Sequence, residues 1–98
     1  MKIIIIGAGE VGYYLSEILS NRGHDVTTVE SDSRKCIRID EELNVRVIQG
    51  NGSTAGTLHE AKVSECEFFL AMTSDDRVNL ISSSLAKRLC DQVTTVTR

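Results

Sequence analysis

Lys2-Ile3-Ile4-Ile5-Ile6-Gly7-Ala8-Gly9-Glu10-Val11-Gly12 runs from four isoleucines into three spaced glycines. A continuous β-branched run is what a parallel strand buried on both faces carries. Glu10 to Arg22 then place Val11, Tyr14, Leu15, Ile18 and Leu19 at i, i+3, i+4, i+7 and i+8, one apolar stripe on a helix. Gly23 follows, where a left-handed cap belongs. The Gly-x-Gly-x-x-Gly pattern therefore lies between a strand and a helix, the context its chemistry requires. Gly7 permits a tight turn. Gly9 lets the backbone approach a pyrophosphate with no Cβ between them, and Gly12 lets the helix pack close to the strand. The helix start offers unpaired N–H groups and the positive end of its dipole to an anion. Gly7, Ala8, Gly9, Glu10, Val11 and Gly12 are thus the candidate binding turn for an adenine dinucleotide, NAD(H) foremost.

Outward from this turn, apolar runs alternate with helical patterns. Strands are predicted over 26–29, 45–48, 68–72 and 93–97, and helices over 34–43, 54–62 and 76–90, the last with Leu80, Ile81, Leu85 and Leu89 facing inward. Ser31, Asp32 and Ser33 are N-cap candidates for the second helix. Alternating strands and helices with short connections make parallel βαβ units with right-handed crossovers. The expected fold is α/β, a Rossmann-type doubly wound parallel sheet of order 3-2-1-4-5. A full Rossmann sheet has a sixth strand. Residues 1–98 therefore read as one nucleotide-binding domain from a longer chain.

Glu30 ends the second predicted strand. A carboxylate there accepts hydrogen bonds from the adenosine ribose hydroxyls and repels a 2′-phosphate, which favours NAD(H) over NADP(H). Arg34 lies against adenine, reaches a phosphate, or is a surface charge. Asn51, in Gly50-Asn51-Gly52-Ser53, either bonds adenine through its amide or only forms the turn, and Ser53 either touches ligand or caps the next helix. Ala71-Met72-Thr73-Ser74-Asp75-Asp76 follows the strand at the topological switch point, so Thr73 and Ser74 present hydroxyls to the cleft. Asp75 or Asp76 caps the last helix, and Asn79 faces cleft or solvent. Arg98 either balances phosphate charge or is a frayed end.

Composition narrows the classes. Hydrophobic residues are 41% and charged residues 26%, ordinary for a soluble domain, and there is no proline or low-complexity tract. A net charge of −3 with scattered lysine and arginine argues against nucleic acid. The isoleucine run is too short for a signal core or a membrane span, so the chain reads as soluble and cytoplasmic. Cys36, Cys66 and Cys90 have no zinc spacing and read as small apolar residues. His24 falls in a turn on the edge away from the cleft, and His59 on a helix surface, so no acid–base or nucleophile constellation forms. No catalytic or metal-binding residue is nominated. The domain reads as one that binds a nucleotide without turning it over.

Three segments in order resemble the TrkA N-terminal domain family, the RCK or KTN family of regulators of potassium conductance. They are Lys2 to Gly12; the turn Gly50 to Ser53, similar to the family's Gly-Asp-Ala-Thr/Ser; and Ala71-x-Thr73-x-Asp75-Asp76-x-x-Asn79, similar to its Ala-x-Thr-x-Asp-Asp/Glu-x-x-Asn. The likeness covers the whole chain. Asn51 and Gly52 stand where the family usually has Asp and Ala, and Arg98 matches an arginine the family places near the phosphates. The resemblance implies a regulatory subunit on the inner face of the cell membrane, held there by a potassium transporter partner. It also implies homo-oligomers, dimers or larger rings, and gating by NAD(H) or, in other members, ATP or ADP. The cofactor domain of an NAD-dependent oxidoreductase is the alternative outside this family.

Overall fold

Four consecutive isoleucines have no polar face to turn outward, so the strand they form takes the middle of a sheet. In the computed structural model, which describes residues 1–98, β1 (Lys2–Ile6) does so. It pairs in parallel with β2 (Asp25–Glu30) on one side and β4 (Phe68–Ala71) on the other. β3 (Arg46–Gln49) and β5 (Thr94–Thr97) complete a five-stranded parallel sheet of order 3-2-1-4-5. Between the strands run α1 (Glu10–Asn21), α2 (Ser33–Glu42), α3 (Ala55–Glu60) with a 3-10 turn at Val63–Glu65, and α4 (Asp76–Leu89). The fold is the doubly wound α/β sheet expected, with boundaries one or two residues from those read in the sequence.

The pleat of β1 divides the core. Ile3 and Ile5 pack with Val26 and Met72 against Val11, Leu15 and Leu19 of α1. Ile4 and Ile6 pack with Val29, Ile48, Leu58 and Phe69 beneath α3 and α4. Each fully buried aliphatic or aromatic side chain contributes about 1.5–3 kcal/mol. On α1 the stripe is narrower than its spacing suggests, for Tyr14 is exposed. Its neighbour Tyr13 ties α1 to α2 instead, donating its hydroxyl to Glu42 beneath the Arg38 guanidinium.

α4 corrects a second expectation. Leu85 and Leu89 do pack on the core, but Leu80 and Ile81 are 65% and 52% exposed. The buried positions are Asn79, Ser82, Ser83 and Ala86. On the helical wheel Leu80 and Ile81 lie roughly 200° and 100° from Ser82. Small residues at 82, 83 and 86 bring the helix close to the sheet and leave the two large aliphatic side chains outside. No helix is long and apolar enough to cross a membrane.

Every strand ends on one edge. Past the last β1 and β3 residues the ladder continues with Gly7 N–H to the Val29 carbonyl and Gly50 N–H to the Glu30 carbonyl. Met72 N–H bonds the Ile6 carbonyl, and Arg98 N–H the Ala71 carbonyl. Gly7 takes a φ of +103°, open to glycine without strain. A Cβ on Gly12 would stand 1.8 Å from the Gly7 carbonyl oxygen, so α1 abuts the end of β1 only because residue 12 is glycine. Gly12→Ala should therefore destabilise the domain by about 1–3 kcal/mol or more. Gly56→Ala, where a Cβ meets nothing within 4 Å, should stabilise it by about 0.5–1 kcal/mol. Urea unfolding of the two variants checks both signs; equal effects would refute the packing role of Gly12.

Candidate functional site

The four loops that leave the carboxyl edge enclose a cavity of about 640 Å³. Gly7, Gly9 and Glu10 form its floor, Glu30, Ser31 and Lys35 one wall, Gly50, Asn51 and Gly52 a rim, and Thr73, Ser74 and Asp75 the opposite wall, with Arg98 at the edge. Most lining residues with side chains are polar, with Lys35 and Arg98 as the cations and Glu10, Glu30 and Asp75 as the acids. Of the residues nominated from sequence, Gly7, Gly9, Glu10, Glu30, Asn51, Thr73, Ser74 and Arg98 come together here. Ala8, Val11, Gly12 and Arg34 do not line it. Gly12 is buried against Gly7, Val11 packs on the core, and Arg34 is exposed.

The glycines separate by what excludes their side chains. Gly7 is required by its φ, Gly12 by the carbonyl above it, and Gly52 by the Ile6 side chain, whose Cγ2 would lie 2.5 Å from a Cβ. Around Gly9 a Cβ would meet nothing within 4 Å. No part of the protein asks for glycine there. Gly9 is also the N-cap of α1 and makes no side-chain cap bond. The first N–H groups of a helix have no intrahelical partner, so those of α1 start beside an open space that no side chain at residue 9 fills.

Glu30 is nearly buried and its carboxylate is held by backbone. Its Oε1 accepts from Ala8 N–H at 2.7 Å and its Oε2 from Asp32 N–H at 2.8 Å. The bond to Ala8 stitches the end of β2 to the glycine turn. Two carboxylate oxygens carry about four acceptor sites, so capacity remains for donors on the cavity side. Asp32 is the N-cap of α2, accepting from Lys35 N–H. That register turns Lys35, rather than Arg34, toward the cavity, and sequence reading missed it because three polar residues competed for the cap. Cys36, buried behind this wall, donates its thiol to the Glu30 carbonyl; burial raises its pKa. Cys66 lies on the core side, where burial pushes its thiol up to about 11.

Hydrogen bonds bear on three further residues, Asn51, Ser53 and Asn79. Asn51 Oδ1 accepts from the backbone N–H and the hydroxyl of Ser53, so the carbonyl end of its amide builds the turn. Ser53 does not cap α3. The N-cap is Thr54, whose hydroxyl bonds the Asn51 carbonyl and the Thr57 hydroxyl rather than a backbone N–H of the helix. Asn79 faces neither cleft nor solvent: it is fully buried and bonded to Thr73. The Thr73 hydroxyl is engaged with Asn79 and Asp75 and is not turned to the cavity as a free group.

The comparisons agree with this architecture. The family model of the TrkA-N domain matches residues 3–98. Among curated proteins, a Trk system potassium uptake protein TrkA homolog from Methanothermobacter thermautotrophicus is 40% identical over 89% of this chain and 40% of its own length. The chain spans less than half the length of the curated relatives it matches. The TrkA-N domain of the inner membrane protein ybaL from Escherichia coli superposes with a TM-score of 0.88 at 16% identity, over 96% of this chain and 69% of that one. The GsuK channel bound to NAD superposes at 0.83 and 22% identity, over 96% of this chain and 17% of that one.

Asp75 caps α4, accepting from Arg77 and Val78 N–H, and these donors lower its carboxyl pKa below the ordinary value. A lowered folded-state pKa means that the cap stabilises fully above the ordinary carboxylate range. That stability is lost as pH falls through the depressed value. Asp75→Asn keeps an acceptor that does not titrate. Its stability should fall less steeply with acid than that of the parent, read from thermal unfolding between pH 7 and pH 2; identical slopes would remove Asp75 from the acid response.

Proposed function

The chain belongs to the TrkA-N domain family, and on that premise we propose that it is the NAD(H)-sensing domain of a Trk-type potassium uptake system, regulating transport without catalysis. One observation carries the reading: Gly9 has open space where a Cβ would stand, directly before the helix that supplies unpaired N–H groups. A diphosphate fits that space with backbone donors and the helix dipole in place of a basic side chain.

The other residues take roles around it. Glu30 receives the adenosine ribose hydroxyls on its remaining lone pairs and repels a 2′-phosphate. Lys35 and Arg98, the two cations on the wall, offset phosphate charge beside Glu10, Glu30 and Asp75. Asn51 stands at the rim and Ser74 on the opposite wall. Bound dinucleotide supplies no reaction here; its effect is to favour one arrangement of the loops that hold it. A ligand shifts such an equilibrium only by its differential affinity for the two states. The exposed pair Leu80 and Ile81 gives α4 an apolar face suited to a second copy of the chain, in a dimer or larger ring. The NAD reported for the GsuK channel supports the choice of ligand, and the names of the curated relatives support a potassium uptake system as partner; on this reading the partner is a membrane transporter and the domain sits peripherally on its cytoplasmic side.

Calorimetric titration with NADH, NAD+, NADPH, ATP and ADP tests the assignment. NADH or NAD+ should bind more tightly than NADPH. A preference for ATP or ADP would make the domain an adenine-nucleotide sensor instead, and hydride transfer to any added substrate would make it an oxidoreductase module. Gly9→Val should abolish binding with the fold intact. Glu30→Ala should weaken NADH by about 1–3 kcal/mol, the range for a charge-assisted hydrogen bond.

A further inference from the structure

Asn79 has no accessible surface, yet it carries an amide with both donors and acceptors. Every hydrogen bond of that side chain goes to one residue. Asn79 Oδ1 accepts from Thr73 N–H at 2.9 Å and from the Thr73 hydroxyl at 2.7 Å, and Asn79 Nδ2 donates to the Thr73 carbonyl at 2.9 Å. The Thr73 hydroxyl in turn accepts from Asp75 N–H. A buried amide spent on a single loop residue fixes that residue's height and direction. Thr73 lies two residues past the end of β4, in the cavity wall. It sits tight on the glycine turn, for its nitrogen and Cγ2 lie 3.1 Å from where a Cβ on Gly7 would be.

We propose that Asn79 is a positioning residue for the nucleotide cavity: by clamping Thr73 it sets the wall that faces Gly7 and so the width of the slot over the start of α1. The proposal rests on the reading of this cavity as a dinucleotide site. Core packing alone gives Asn79 no reason to be an amide, since Val78, Leu85 and Leu89 of the same helix already cover the sheet. Its polar atoms serve the loop.

A double-mutant cycle on NADH affinity tests this, using the wild type, Asn79→Ala, Thr73→Val and the double variant. Because Asn79 acts through Thr73, Asn79→Ala should weaken NADH roughly tenfold, the size of a lost buried hydrogen bond. The double variant should bind no more weakly than Asn79→Ala alone. Unchanged affinity in a folded Asn79→Ala protein, or losses that multiply in the double variant, would overturn the proposal. Should Asn79→Ala fail to fold, Asn79→Asp takes its place in the cycle. It keeps the acceptor for Thr73 N–H and removes the donor to the Thr73 carbonyl. Amide exchange in the wild type then reads the clamp directly: Thr73 N–H should be strongly protected, and exchange at the rate of an open loop would sink the idea. A wild type that binds no nucleotide would instead refute the site itself, and this inference with it.

Discussion

The start of α1 is pressed against the end of β1, and the rest of the structure is arranged around that approach. The Gly7 carbonyl lies where a Cβ on residue 12 would be. The helix therefore begins close to the carboxyl edge of the central strand, and its unpaired N–H groups open into the cavity. Four isoleucines hold β1 in the middle of the sheet with no polar face to spend. Because β1 is central, the loops after β2, β3 and β4 meet above it. The floor, both walls and the rim of the cavity follow from this one helix-to-strand distance and the parallel register that surrounds it.

Glu30 and Asn79 hold the two walls by the same kind of device. Each is a buried polar side chain that bonds backbone on a different element or loop. Glu30 ties the β2 end to the glycine turn through Ala8 N–H, and Asn79 ties α4 to the β4 end through Thr73. Buried polar groups are costly unless satisfied and stiffen what they join when they are. The cavity is thus bounded by hydrogen-bonded loops. Asn79 also precedes Leu80 and Ile81 in the chain, so one turn of α4 carries the clamp on its inner side and the exposed aliphatic pair outside. A shift of that turn would be felt on both.

Much of this was legible in the chain. The glycine turn came from an unbroken β-branched run beside a fixed glycine spacing, and the parallel pairing and strand order from strands alternating with helices across short connections. The roles of Gly9 and Gly12 were separable in principle, and the structure separates them by showing what a Cβ would strike. Tyr14, Leu80 and Ile81 were misjudged because a hydrophobic residue at roughly helical spacing says nothing of how wide the covering layer is. Ser82 and Ala86 let α4 sit close, and that closeness is a tertiary quantity. Arg34 and Lys35 were exchanged by one residue because the helix phase depends on which of Ser31, Asp32 and Ser33 caps it. Asn79 was placed by its distance along the helix, whereas its partner lies in the loop before it, where only the folded turn brings them together.

The central claim is that bare backbone amides at the start of α1 grip a diphosphate. The most direct measurement is the set of amide nitrogen and proton shifts of the isotope-labelled domain as NADH is added. The amides of Gly9, Glu10 and Val11 should move together and saturate, with Ala8 and Asp32 following through Glu30. Saturating NADH that leaves those three amides still, or moves only residues away from the carboxyl edge of the sheet, would contradict the account.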